Sequence, residues 1–205
     1  MDTPDNKEKT PNSEVEESQV REARPSYNKR YTYADYLTWD DDERWELIDG
    51  VPYIMAGPSL QHQGVLGNLF FQLKLFLKGK PCKVFVAPLD VRLNADTLDN
   101  TVVQPDVLVI CDKSMLSYNY GVGVPDLVVE ILSPSTAHYD RTTKFNAYLK
   151  AGVREFWVID PITKTLAVHI LSAGDYVTHA YTGEDVVKVS VLENCVIDLA
   201  EVFEE

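Results

Sequence analysis

From Ser59 onward the apolar positions Val65, Leu66, Leu69, Phe70, Leu73, Phe76 and Leu77 recur at helical spacing until Gly79 and Pro81 end the run, which predicts a long helix. Ahead of it, Thr32 is placed to cap a short helix through Tyr33 to Leu37, and residues 45–49 and 52–55 flank Asp49-Gly50 as two strands joined by a tight turn. Downstream, β-rich segments at 83–87, 90–93, 102–110 (interrupted by Pro105) and 126–132 are separated by Asn, Asp, Gly and Pro. A second helix fits Tyr139 to Lys150 and stops at Gly152, with Phe145, Tyr148 and Leu149 as its buried stripe and Lys144 at the edge. Strands at 155–160 and 165–171 follow, then two more β segments near 176–181 and 187–192. Long helices between apolar strands predict an α/β (α+β) layer structure in which helices flank a mixed sheet, with extra strands at the C-terminus.

Composition narrows this picture. With 205 residues, 45% hydrophobic and 25% charged, the chain has the balance of an ordinary globular protein and enough length for a full core. Residues 1–26 hold only Met1, Val15, Val20 and Ala23 as apolar side chains, so they are expected to be a disordered polar arm ahead of one domain at 27–205. The arm carries seven acids and four bases, which leaves −10 of the total −13 on the domain. That balance argues against a broad basic surface for nucleic acid or anionic membrane, so any phosphate site must be local. No run approaches the roughly 18 apolar residues of a membrane span and the N-terminus lacks a signal-peptide core, so the expectation is a cytoplasmic protein. Cys82, Cys111 and Cys195 are odd in number and widely spaced, forming neither a zinc pattern nor a disulfide framework; reduced, mostly buried thiols are expected.

The chemistry concentrates on a few acids. Gln104-Pro105-Asp106 precedes the wholly apolar Val107-Leu108-Val109-Ile110, so a carboxylate stands at the start of a strand. Glu130 lies inside Leu127-Val128-Val129-Glu130-Ile131-Leu132, on the face of Val128 and Leu132 by the two-residue period. An ionised acid buried there costs several kcal/mol unless a cation answers it, and a metal ion, Lys144 or Arg141 are the candidates. Two carboxylates and a lysine are the parts of metal-assisted phosphodiester hydrolysis. Each has a plainer reading: Asp106 as a turn cap, Glu130 in a structural pair, Lys144 as a solvated helix residue with Lys150 and Arg141 as competitors. Glu46 is either an exposed hairpin acid or a metal neighbour, His62 a packed helix-start residue or part of the site, and Tyr148 a core residue whose hydroxyl reaches the site edge.

At these residues the chain resembles the Uma-type restriction-endonuclease family, a branch of the PD-(D/E)XK nuclease superfamily. The resemblance runs from about Tyr31 to Leu171. It rests on residues 45–50 (WELIDG), 59–62, Gln104-Pro105-Asp106-Val107, residues 129–135 (VEILSPS), Lys144, Tyr148, Gly152-Val153 and residues 155–161 (EFWVIDP). It implies a restriction-endonuclease-like fold and a Mg²⁺- or Mn²⁺-dependent site for cleaving DNA built on Asp106 and Glu130, with Glu46 as an extra acid near the metal. His62, Gln104 and Tyr148 fall at the periphery. Leu132 stands where the superfamily pattern has its lysine, and Lys144 from the following helix is the matching substitute. A homodimer is expected by analogy with enzymes that cut both strands. The alternative is a catalytically inactive binding or assembly module on the same fold, which the acidity of the domain favours.

Overall fold

The computed structural model describes residues 26, 28–39, 42–55, 57–95, 97–115, 123–134 and 137–204. The expected arm at 1–26, apart from Ser26, lies outside them, as do Ser135 and Thr136 and residues 116–122. Helix α1 (Tyr33–Tyr36) is capped by Thr32, whose hydroxyl accepts from the Asp35 amide while the Asp35 carboxylate returns to the Thr32 amide. Strands β1 (Trp45–Ile48) and β2 (Val51–Ile54) form the expected hairpin, with Asp49 and Gly50 both at positive φ. With β4 (Val91–Arg92) and β5 (Val102–Val103) they make a small antiparallel sheet in the order β2-β1-β5-β4.

The large sheet has six strands: β3 (Lys83–Val86), β6 (Val107–Ile110), β7 (Leu127–Ile131), β8 (Glu155–Asp160), β9 (Thr165–Ser172) and β10 (Asp175–Thr182). Their order is β10-β9-β8-β7-β6-β3, and among these pairings only β7 with β8 is parallel. That pair needs a crossover connection, which the second helical region supplies. The sheet is therefore mixed, as expected. Its interior strands β6, β7 and β8 read as nearly continuous apolar runs because both faces are covered.

One face is covered by α2 (Leu60–Phe76), which buries Val65, Leu69 and Leu73 against Val107, Val109, Val129 and Trp157. The C-terminal ribbon of β11 (Val186–Lys188) and β12 (Val196–Asp198) and the helix α5 (Leu199–Val202) complete that core. The expected strand at 187–192 is thus shorter than its apolar run, and the chain turns at Val189–Leu192 before β12. The opposite face is covered by Tyr148 and Val153 together with Ile48, Val91 and Val103 of the small sheet and Leu93 just after β4.

The second helix begins two residues earlier than its pattern implied and is not regular. Helix α3 (Ala137–Tyr139), a π-helical turn (Asp140–Lys144) and α4 (Phe145–Ala151) follow directly on one another, and Gly152 in the left-handed region ends the run. A π turn widens the helix by one residue and re-aims the side chains around it. The buried residues here are Asp140, Lys144 and Tyr148, whereas Phe145 and Leu149 are half-buried; the lysine expected at the stripe's edge is fully inside.

A second correction concerns the cysteines. Lys83 pairs with Ile110, so the next position outward sets Cys82 beside Cys111, and the two form a disulfide; Cys195 is buried and free. Strand register, invisible in the spacing of three cysteines, brings the thiols together.

Candidate active site

The chain leaves the small sheet after β5 and enters the large one at β6 through Gln104-Pro105-Asp106, so that tripeptide is the seam between the two sheets. In the β6–β7 ladder Val107 faces Val129; carried one residue further, the register sets Asp106 opposite Glu130. Asp106 Oδ2 accepts the amide of Ile131 at 2.7 Å and lies 3.2 Å from Nε2 of His62, in the first turn of α2. The Ser59 side chain caps that turn by accepting from the His62 amide.

Glu130 and Lys144 do meet. Lys144 Nζ is 3.0 Å from Glu130 Oε1, 2.9 Å from Glu46 Oε1 and 3.6 Å from Asp140 Oδ1, and the lysine is 2% exposed. Tyr148 donates to Glu130 Oε1 at 2.5 Å, and Tyr139 donates to Glu46 Oε2 at 3.0 Å. The Gln104 amide donates to Glu46 Oε1 at 2.7 Å, so β1, β5, β7 and the π turn are tied together at this point. Glu46 is fully buried, which removes its reading as an exposed hairpin acid. The two competitors of Lys144 sit elsewhere: Arg141 pairs with Asp160 and Lys150 with Asp49, both with exposed cationic side chains.

The Gln104 side chain accepts from Arg44 Nη2 at 2.7 Å and donates to Asp90 Oδ1 at 3.0 Å, holding the guanidinium at the site. Arg44, Glu46, Asp106, Glu130, Asp140 and Lys144 all line one cavity of about 170 Å³. Three of its contributors were not singled out from the sequence. Asp140 precedes Lys144 by four residues, a spacing that marks a helical ion pair and could have been noticed. Arg44 and Tyr139 carry no comparable signal, because only the packing of the small sheet against the helix brings them in.

Burial pushes the Glu130 carboxyl well above the ordinary range; Lys144 opposes the rise, while Asp140, Asp106 and Glu46 add to it. For Lys144 burial works the other way, yet the surrounding carboxylates outweigh it and hold the ammonium charged far above its usual range. Burial and Glu130 likewise raise Tyr148, which stays a donor.

Four acids lining the cavity face one buried ammonium, and neither Asp106 Oδ1 nor Glu130 Oε2 accepts a hydrogen bond among the described residues. An excess of carboxylate with open oxygens suits a divalent cation. Among the described residues no three His, Cys, Asp or Glu side chains converge on one point. Asp106 and Glu130 are the carboxylates with an open oxygen that could hold such an ion. Both oxygens of Glu46 are already engaged by protein donors.

The model of the Uma2 family, described as a putative restriction endonuclease, matches residues 33–200. The chain belongs to the Uma2 family. That match takes in every side chain of the site, from Arg44 to Tyr148. Two Synechocystis proteins are similar to this Uma2 member: uncharacterized protein slr1290, 35% identical over 56% of this chain and 60% of that protein, and uncharacterized protein sll1609, 31% identical over 64% and 76%. The aligned part thus spans less than two thirds of slr1290. A crystal structure from Anabaena variabilis, described as a putative nuclease belonging to DUF820, shares the fold with a TM-score of 0.69 at 20% identity, over 84% of this chain and 97% of that one. The mixed α+β fold expected is thus the fold of that structure as well. No helix among the described residues is long and apolar enough to cross a membrane.

Proposed function

We propose that this protein is a Mg²⁺- or Mn²⁺-dependent endonuclease that hydrolyses phosphodiester bonds in DNA. The observation that carries the reading is Lys144: a fully buried ammonium within 3.0 Å of Glu46 and Glu130, at a cavity that Asp106 also lines. Asp106 and Glu130 are the residues that would hold the ion, which when bound supplies hydroxide at neutral pH and screens the phosphate charge. His62 and the Ile131 amide fix Oδ2 of Asp106 and leave Oδ1 free to ligate an ion. Tyr148 and Lys144 do the same for Glu130.

Glu46 and Asp140 hold Lys144 charged, in the role of the lysine that the superfamily pattern has where this chain has Leu132. Its Nζ orients the attacking water and stabilises charge developing on the phosphate. Arg44, fixed by Gln104, offers a fork for a nonbridging phosphate oxygen at the cavity. The competing reading, an inactive binding or assembly module, draws on how completely the carboxylates already satisfy Lys144.

Incubation of supercoiled and single-stranded DNA with Mg²⁺ or Mn²⁺ separates the two. The nuclease reading requires cleavage by the wild type that is lost in EDTA and in Glu130→Ala, together with Mn²⁺ binding in calorimetry that Glu130→Ala weakens. Absence of both cleavage and Mn²⁺ binding would leave the module.

A further inference from the structure

The charge of this chain is unevenly placed. Between Asp49 and Asp90 there is no Asp or Glu at all, whereas Lys74, Lys78, Lys80 and Lys83 fall within ten residues, on a protein of net charge −13. All four lysines are exposed, and none has a carboxylate partner among the described residues. Lys74, Lys78 and Lys83 line a groove of about 450 Å³ between the end of α2 and β3, which no described acid lines. Phe71 and Leu75 stand in the same groove, 65% and 62% exposed. An unpaired basic groove with an open aromatic ring combines phosphate attraction with a surface on which a base can stack.

Helix α2 connects this groove to the candidate active site. Gln63 lines the site cavity and Lys74 lines the groove; they are eleven residues apart, close to three turns and about 17 Å, so both lie on one helix face. Gly67 lies on that face between them, where an added Cβ would meet nothing within 4 Å, and the half-buried Leu66 and Phe70 make up the rest of it.

We infer that the α2–β3 groove, with Lys74, Lys78, Lys83 and Phe71, is a docking surface for single-stranded nucleic acid that leads the strand along α2 to the catalytic cavity. It rests on the nuclease reading for what happens at the far end, but the groove itself is tested by binding alone. The lysines contact phosphates, and Phe71 stacks on a base. The acidic remainder of the surface repels the strand elsewhere, so the contact is local and sensitive to salt.

Fluorescence anisotropy of a labelled oligodeoxythymidylate of roughly 16 nucleotides, in EDTA so that nothing is cut, measures the docking directly. The variant Lys74→Gln/Lys78→Gln/Lys83→Gln is expected to bind on the order of tenfold more weakly at low salt, with a log K against log salt slope smaller by about 2, from roughly 0.7 per lost phosphate contact. Phe71→Ala is expected to weaken binding severalfold with the slope unchanged. All substituted side chains are exposed, so the variants should fold, which circular dichroism checks. Wild-type affinity and slope in the triple variant, or no salt-dependent binding by the wild type, would overturn the proposal. So would duplex of the same length binding more tightly than the single strand, or a triple variant changed only in sedimentation, which assigns the face to a protein partner. Mn²⁺-dependent hydrolysis of bis(p-nitrophenyl) phosphate, too small to reach the groove, keeps the two readings apart. It should persist in the triple variant and vanish in Glu130→Ala; its absence from the wild type removes the nuclease reading while the binding data judge the groove.

Discussion

Lys144 balances part of a buried charge that no other cation within 4 Å answers among the described residues, since Arg141, Lys150 and Arg154 all pair elsewhere. Removing one member of a buried ion network leaves its partners desolvated and uncompensated, at a cost of about 3–5 kcal/mol. Lys144→Met is therefore expected to lower unfolding free energy by about 3 kcal/mol in urea titration, near the low end because Glu130 can take up a proton. The same variant should lose metal-dependent cleavage. A variant as stable as wild type would mean that Lys144 holds nothing together. Parts of this cluster were legible beforehand: an acid inside an apolar strand demands a cation, and Lys144 was the nearest lysine in a helix that could return to the sheet. Its depth was not legible, because the amphipathic pattern assumed a regular helix and the π turn carries Lys144 inward.

At the scale of elements, α2 serves the site with its first turn and the sheet with its middle. Ser59 caps it, accepting the amide of His62, the residue that steadies Asp106. Ser59→Ala should cost about 1 kcal/mol of stability, the usual loss for an N-cap. If the cap also holds His62 in place, cleavage should fall by more than the stability loss explains, which parallel unfolding and cleavage measurements would show. The helix and hairpin boundaries were read closely because their signals are local: Thr32 at a cap, Asp49-Gly50 at a turn, Gly152 at a left-handed stop. The short strands β11 and β12 were missed as a pair because Val189, Val191 and Leu192 continue the strand pattern into a turn.

Across the whole molecule, the Cys82–Cys111 bond joins β3 to β6 at the end of the sheet away from the candidate site, closing a loop of 29 residues. In the chain-entropy account a loop of that length contributes roughly 3–4 kcal/mol. Reduction with dithiothreitol is expected to lower the unfolding free energy by up to that amount while leaving cleavage intact, because Asp106 lies at the other end of β6. Thiol titration in denaturant should count one reactive thiol, Cys195, before reduction and three after it. Three thiols in protein purified without reductant would show that the pair is not bonded in solution.

The sequence by itself determined the elements, their caps and turns, the mixed sheet under helices and the acids and lysine that carry chemistry, because these follow from periodicity and from the cost of burying charge. Only the tertiary structure decided which residues meet. The β6–β7 register faces Asp106 with Glu130, the seam at Gln104 brings the small sheet's Glu46 and Arg44 to the large one, and β3–β6 pairing joins the cysteines. Such meetings depend on contacts between residues 24 to 60 positions apart, which no local pattern encodes.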